Sequence, residues 1–311
     1  MSFRPNIPPI KIDGHNVPGL PTPLMSMLTA EIVGGTPPDI AQVPLQNLDS
    51  VISDLSPQPI DQFAPKAEFD DLMNHILPGA RPLGQRNGHL YASPFTFSTP
   101  TLFYNADLFR AAGLDPNKPP ATWDELRTYG LQIRDKTGKA PLNIGATGDG
   151  STWIVQSLLA SNGAGILSPD KKTAIFNQPP AVETIRWWRA LVTDGINPPL
   201  SWQDAQAAFQ NGNLAMFLMT TALLNGIEAA AQGKFQVKTA VEPAFAGKPV
   251  HPTNSGSGLC VLTKDPARQY AAWEFLRFAA SQRGFTIITS LIGYVPPVSY
   301  THLTLPTILR V

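Results

Sequence analysis

Pro94-Phe95-Thr96-Phe97-Ser98-Thr99-Pro100-Thr101-Leu102-Phe103-Tyr104-Asn105 leads through Asp107-Leu108-Phe109 and Ala112-Gly113-Leu114-Asp115-Pro116 to Pro119-Pro120-Ala121-Thr122-Trp123-Asp124-Glu125-Leu126. Thr101–Tyr104 is rich in aromatic and β-branched residues and predicts a strand, as does His89–Pro94 before it. Asn105 to Ala112 predicts a short helix, stopped by Gly113 and by Pro116, Pro119 and Pro120. Thr122 and Glu125 form a capping box: the Thr122 hydroxyl serves one free amide while Glu125 reaches back to the Thr122 amide. The helix it opens runs to about Lys136 and stops at Gly138.

The same alternation extends in both directions. Upstream, Leu24–Val33 has helical spacing and ends at Gly34-Gly35, a C-cap signal. Asp39–Val43 predicts a strand closed by Pro44. Downstream, Pro180 suits the first turn of a helix with Val182, Ile185, Trp188, Leu191 and Val192 on one face and Gly195 after it. Ser201 and Asp204 open another helix, through Phe209 to Gly212. Leu214–Met219, Gln236–Val241 and Leu259–Thr263 predict strands, and Arg268–Ala280 a helix. Helices alternating with strands imply an α/β fold, here with a largely parallel sheet. Residues 1–23 carry six prolines, Pro5, Pro8, Pro9, Pro18, Pro21 and Pro23, so no regular helix is expected through them.

The chain has 311 residues, enough for about two domains. Its 23 basic and 23 acidic residues cancel, which argues against nucleic acid as a partner. No apolar run reaches the ~18 residues of a membrane helix. Charged residues are only 15%, and the 32 prolines and 24 glycines mark a loop-rich protein. One cysteine, Cys260, excludes an internal disulfide and reads as a small core residue.

Enzymatic signatures are absent. The five histidines (His15, His75, His89, His251, His302) include no i, i+4 pair for zinc. Gly148-Asp149-Gly150 lacks the third glycine of a dinucleotide loop and reads as a turn. Ser255-Gly256-Ser257-Gly258 lacks the leading glycine of a nucleophile elbow. Asp70-Asp71 are neighbours whose side chains point apart. What stands out is rings and hydroxyls near element ends. Trp123, Trp153, Trp202 and Tyr294 lie at starts or turns. Thr96, Ser98 and Thr99, then Thr220 and Thr221, then Thr253, Ser255 and Ser257 form hydroxyl-rich segments beside strands. Such groups suit a neutral polyol or sugar, and loops at strand ends are where an α/β scaffold places its ligand.

The segment from Pro94 to Leu126 resembles family 1 extracellular solute-binding proteins of ABC transporters, the carbohydrate and glycerol-3-phosphate binders. The resemblance continues through Gly34-Gly35-Thr36-Pro37-Pro38-Asp39-Ile40, Ala207-Ala208-Phe209 with Gly212, Ala215-Met216, Ala272-Trp273-Glu274-Phe275-Leu276 and Gly293-Tyr294-Val295-Pro296. It covers about residues 24–298 in consistent order. It implies a two-lobe periplasmic-binding-protein (type II) α/β fold with hinge crossings near Ser98–Thr101 and Ser255–Gly258, here incomplete. The N-terminal lobe would hold 1–98 and 258–295, and the C-terminal lobe 101–255. Trp187, Trp188 and Trp273 are expected to pack within helices.

The resemblance to the glycerol-3-phosphate binders places Ser98 and Thr99 at the hinge contact and Trp123 in the cleft. It places Thr220 and Thr221 at a serine segment, Gly256 and Ser257 at a glycine loop, and Tyr294 at a Gly-Tyr-Leu-Pro tyrosine. Trp153 and Gln46 are further cleft candidates. Two departures bear on the ligand. Pro44-Leu45-Gln46 stands where an acidic residue is expected, and the arginine expected beyond Tyr294 for a phosphate has no counterpart. Both departures count against recognition of an anionic phosphate and leave a neutral sugar or polyol open.

The implied function is capture of a small polar solute by lobe closure and delivery to ABC permease subunits, by a monomer in the periplasm or outside the cell. No catalysis, cofactor or metal is implied. The N-terminus shows no export signal, and 299–311 matches nothing in the family and reads as adaptor or out-of-frame sequence. The competing reading is a carbohydrate-active hydrolase with two carboxylates across a cleft. Trp153→Ala is expected to weaken binding with little loss of thermal stability.

Overall fold

A computed structural model describes residues 10–16, 21–147 and 152–299. Gly148-Asp149-Gly150, residues 300–311 and much of the proline-rich N-terminal stretch lie outside these described residues. The elements are α1 (Pro21–Val33), β1 (Ile40–Pro44), α2 (Leu48–Leu55), α3 (Ile60–Phe63), α4 (Lys66–His75), α5 (Arg81–Gly84), β2 (Gln85–Arg86), β3 (His89–Leu90) and β4 (Ser93–Ser98). They continue as β5 (Pro100–Asn105), α6 (Ala106–Ala111), α7 (Trp123–Thr137), β6 (Ala140–Ile144), α8 (Thr152–Ser161), α9 (Pro179–Thr193), α10 (Trp202–Gln210) and β7 (Leu214–Thr220). The last are α11 (Leu224–Ala231), β8 (Val237–Val241), β9 (Ser255–Val261), α12 (Pro266–Ala279) and α13 (Gln282–Leu291).

Local chemistry explains the boundaries. At the end of α1, Gly35 takes a φ of 75° while the amides of Gly34 and Thr36 donate to the carbonyls of Ala30 and Glu31, closing the helix. The helix starts at Pro21 rather than Leu24, because proline is tolerated in a first turn. Asn105 caps α6 by accepting from the amides of Asp107 and Leu108 at 3.0 and 3.1 Å. The capping box of α7 is formed in both directions, with Gly138 in left-handed conformation at its far end.

The chain divides into two compact units. One takes the residues up to Thr96, Gly256–Phe285 and those from Pro296; the other takes Phe97–Ser255 and Thr286–Val295. The chain thus passes between units within β4, at Ser255–Gly256, within α13 and after Val295. Thr286–Val295, expected with the first lobe, belongs to the second unit, where Asn225 Nδ2 donates to the Ser290 carbonyl at 3.0 Å and the Val295 amide to the Phe97 carbonyl at 2.8 Å. Ser299, expected to begin the non-family tail, donates its amide to the His75 carbonyl in the first unit.

The first unit holds a three-stranded sheet in the order β1-β9-β4. Strand β1 runs antiparallel to β9, with Gln42 opposite Leu259. Leu28, Val43, Leu48, Val51, Ala92 and Cys260 pack its core, and burial pushes the Cys260 thiol up to about 12. The second unit holds a four-stranded sheet in the order β6-β7-β5-β8. Its core gathers Phe103, Phe109, Leu126, Leu158, Phe209, Met216 and Phe217.

The sheets are not largely parallel, which corrects the sequence expectation. Only β6 and β7 pair in parallel among the pairings described; β5 runs antiparallel to both β7 and β8. The helix-containing connections keep β6, β7 and β8 in one direction, as crossovers do. Strand β5 runs against β7 and β8, and β9 against β1, and each lies where the chain has just passed from the other unit. The alternation of elements in sequence does not encode that reversal.

Helix α9 presents a different face from the one expected. Leu191 is buried as expected, but Ala181 and Thr184 are buried with it, whereas Val182, Ile185 and Val192 are exposed. Both sets have helical spacing, but the small residues at 181 and 184 admit α8. Thr184 Oγ1 also donates to the Pro180 carbonyl and accepts from Asn162 Nδ2.

Candidate functional site

In the second unit, three separate stretches converge at one end of the central strands. Pro100 of β5 lies opposite Thr220 of β7. Just beyond, the Thr99 carbonyl accepts from the Thr221 amide at 3.3 Å. Thr220 turns the chain by accepting from the Ala222 amide at 3.1 Å. Gly293 is held close against this turn: a Cβ there would stand 2.4 Å from the Thr221 carbonyl oxygen and 2.9 Å from Leu224 Cβ. Its φ of 29° also disfavours a side chain. Tyr294 follows, half-buried, and Val295 is tied to Phe97. Ser98, Thr99, Thr220, Thr221 and Tyr294 are thereby brought together. Ser98 is buried, and the buried Thr221 hydroxyl has no hydrogen-bond partner. An orphaned hydroxyl in such a setting costs about 1–3 kcal/mol.

Trp153 stands on α8, also in the second unit, and is 8% exposed. Thr253 Oγ1 donates to its carbonyl at 2.7 Å. One helical turn on, Ser157 Oγ donates to Glu242 Oε2 at 2.5 Å and accepts from the Thr253 amide at 3.4 Å. Glu242 is 2% exposed and its Oε1 has no partner. Burial pushes its carboxyl up to about 7, opposed by the Ser157 hydrogen bond. Neither Ser157 nor Glu242 was singled out from sequence. Glu242 follows a strand and precedes Pro243, a position that carries no residue-type signal.

Trp123 does not present its ring. It is 1% exposed, with its centroid 4.8 Å from that of Trp187 and 6.1 Å from that of Phe245. Its amide pairs with the Ala244 carbonyl, so it closes the core behind the capping box. Trp187 and Trp188 pack partly buried against the same core, and Trp273 is fully buried in the first unit.

In the first unit, Ser257 is already engaged. Its Oγ lies 2.6 Å from Thr96 Oγ1 and accepts from Gln42 Nε2 at 2.7 Å, while its amide donates to Thr96 Oγ1 at 2.8 Å. Gly256, at φ 146°, precedes it. Gln46 is exposed on the short turn Leu45–Asn47 that ends β1. A groove of about 860 Å³ lies elsewhere in this unit, lined by Thr36, Asp39, Asp54, Thr263, Lys264 and Arg268, none of them a predicted site residue.

A family model described as bacterial extracellular solute-binding protein matches residues 17–301. The sn-glycerol-3-phosphate-binding periplasmic protein UgpB of Salmonella typhimurium is 31% identical over 223 residues, covering 68% of this chain and 50% of that protein. Its counterpart from Pectobacterium atrosepticum is 29% identical over 221 residues, covering 68% and 49%. The chain spans about half the length of the curated relatives it matches. Among solved structures, the cyclic alpha-maltosyl-1,6-maltose binding protein of Arthrobacter globiformis superposes with a TM-score of 0.76 at 27% identity, over 88% of this chain and 69% of that one. UgpB of Mycobacterium tuberculosis, in complex with glycerophosphocholine, shares the fold with a TM-score of 0.76 at 21% identity, over 89% and 69%.

Proposed function

The chain belongs to the bacterial extracellular solute-binding proteins, a family of binding proteins, and from that membership we propose that it is the substrate-binding component of an ABC importer. It captures a sugar, polyol or glycerophosphate-type solute on the periplasmic or extracellular side and delivers it to permease subunits. Capture proceeds by closure: contacts made only in the closed state shift the population toward it. The observation that carries this reading is the convergence of Ser98, Thr99, Thr220, Thr221 and Tyr294 at one end of the second unit. Hydroxyls and a half-buried ring suit a polyhydroxylated solute. The curated relatives are glycerol-3-phosphate binders and a solved relative binds a maltose derivative, which supports the same solute classes. Trp153 is assigned to the site as a ring contact, and in the first unit Gln46, Gly256 and Ser257 are assigned to solute contact as well. Trp123 supports the site from the core. The acting form is a monomer.

Thr221→Val tests the assignment. The variant keeps the shape and removes a buried hydroxyl that serves no internal partner, so stability is expected to rise by about 1 kcal/mol. Affinity for the best solute among maltose, glycerol 3-phosphate and glycerophosphocholine is expected to fall about tenfold, roughly the value of one hydrogen bond. Unchanged affinity, measured by calorimetry, removes Thr221 from the site. For Trp153→Ala the burial of the ring changes the sequence expectation: stability is now expected to fall along with affinity.

A further inference from the structure

Glu242 is buried with one carboxyl oxygen engaged by Ser157 and the other unpartnered. Three links surround it. Ser157 and Trp153 are one turn apart on α8, so whatever holds Ser157 sets the height and rotation of the helix at Trp153. Ser157 Oγ bridges Glu242 and the Thr253 amide, and Thr253 Oγ1 in turn holds the Trp153 carbonyl. The segment from Glu242 to Thr253 is thus clamped to the Trp153 turn at both of its ends.

We propose that Glu242 is a positioning residue for the solute site: through Ser157 and Thr253 it fixes the turn of α8 that carries Trp153. This rests on the reading of Trp153 as a solute contact. The clamp is sensitive to the state of the carboxyl, because an ionised oxygen with no donor and no cation beside it is costly inside a protein. Helix α8 has no ionisable side chain. On the following segment, Lys248 is spent on Asn162 at 2.6 Å and the exposed His251 donates its amide to Ser161 Oγ. On α7, Asp124 and Glu125 are exposed, as are Glu183, Arg186 and Arg189 on α9. Burial is accordingly the main influence on Glu242, and Ser157 the one hydrogen bond opposing it. Ionisation near neutrality strengthens the Ser157 hydrogen bond but leaves the free oxygen charged without a donor, so it draws water into the packing around the Trp153 turn.

The test follows Trp153 itself, by subtracting the fluorescence of Trp153→Phe from that of the wild type across pH. The Trp153 emission is expected to shift to the red with a midpoint near 7. Glu242→Gln holds it at the acidic-side position throughout, and Ser157→Ala moves the midpoint upward by removing the one bond that favours the ionised form. A flat wild-type profile, or a titration that survives in Glu242→Gln, overturns the proposal. If Glu242→Gln fails to fold, the direction of the Ser157→Ala midpoint decides. Affinity for maltose and glycerophosphocholine, which do not titrate near neutrality, is expected to fall about tenfold from acidic to alkaline pH in the wild type alone. If neither these two nor glycerol 3-phosphate nor any polyol binds at any pH, the functional reading fails while the fluorescence titration still decides the positioning role.

Discussion

Glutamine in place of Glu242 is expected to abolish a loss of stability that the wild type undergoes as pH rises from about 4.5 to about 7. The carboxyl is raised from 4.5 to about 7 by burial in the second unit. Below 4.5 the folded and unfolded chains are both protonated and the group adds no pH dependence. Above that, the unfolded chain releases a proton the fold retains, so stability falls until the folded group ionises as well, near 7. The displacement corresponds to about 3 kcal/mol, an upper figure for one buried group. Glutamine keeps the acceptor for Ser157 and cannot ionise. In thermal or urea unfolding followed across pH, the variant should lack this decline and be the more stable protein on the alkaline side. Parallel pH profiles for the two proteins would show that Glu242 reaches water or a cation in solution.

Trp273→Ala is expected to destabilise the first unit by about 3–5 kcal/mol. The ring is fully buried on α12, and its Nε1 donates to Glu68 Oε2 at 2.8 Å on α4. Truncation removes the packing and leaves Glu68 with Arg277, 3.7 Å away and partly exposed. Trp273→Phe should cost less, since it keeps most of the apolar volume and loses only the hydrogen bond. Hydrogen exchange distinguishes the units: amides of β1 and β9 should lose protection while those of β5 and β7 do so less. A cost under about 1 kcal/mol would mean the ring is not packed as described.

Features written in short-range chemistry were legible in the sequence. The capping box at Thr122, the cap at Ser201, the strand at Leu214 and the glycine ends at Gly35 and Gly138 each depend on residues within a few positions. Strand direction was not legible, because β5 and β9 reverse where the chain changes units, a property of topology rather than of residue type. The buried face of α9 was ambiguous because two stripes one residue apart share helical spacing, and only the partner helix selects Ala181 and Thr184. In the site, hydroxyls beside strand ends drew notice as a pattern, and the structure joins Thr99 to Thr221 and Thr96 to Ser257. Trp123 carried a cleft expectation by resemblance, but its place at the start of α7 puts the ring against Trp187 and Phe245. Glu242 was invisible because nothing near it in sequence indicates that Ser157, 85 positions earlier, would meet it.

Reversible capture of a small polar solute is read out by calorimetric titration of the whole chain with maltose, glycerol 3-phosphate, glycerophosphocholine and a panel of polyols, paired with thermal unfolding. At least one solute should bind with one-to-one stoichiometry. At about a hundredfold excess over its dissociation constant it should add about 2.7 kcal/mol to stability, a rise of several degrees in melting temperature. A chain that unfolds cooperatively yet binds none of these solutes, with an unshifted transition in every case, would contradict the account.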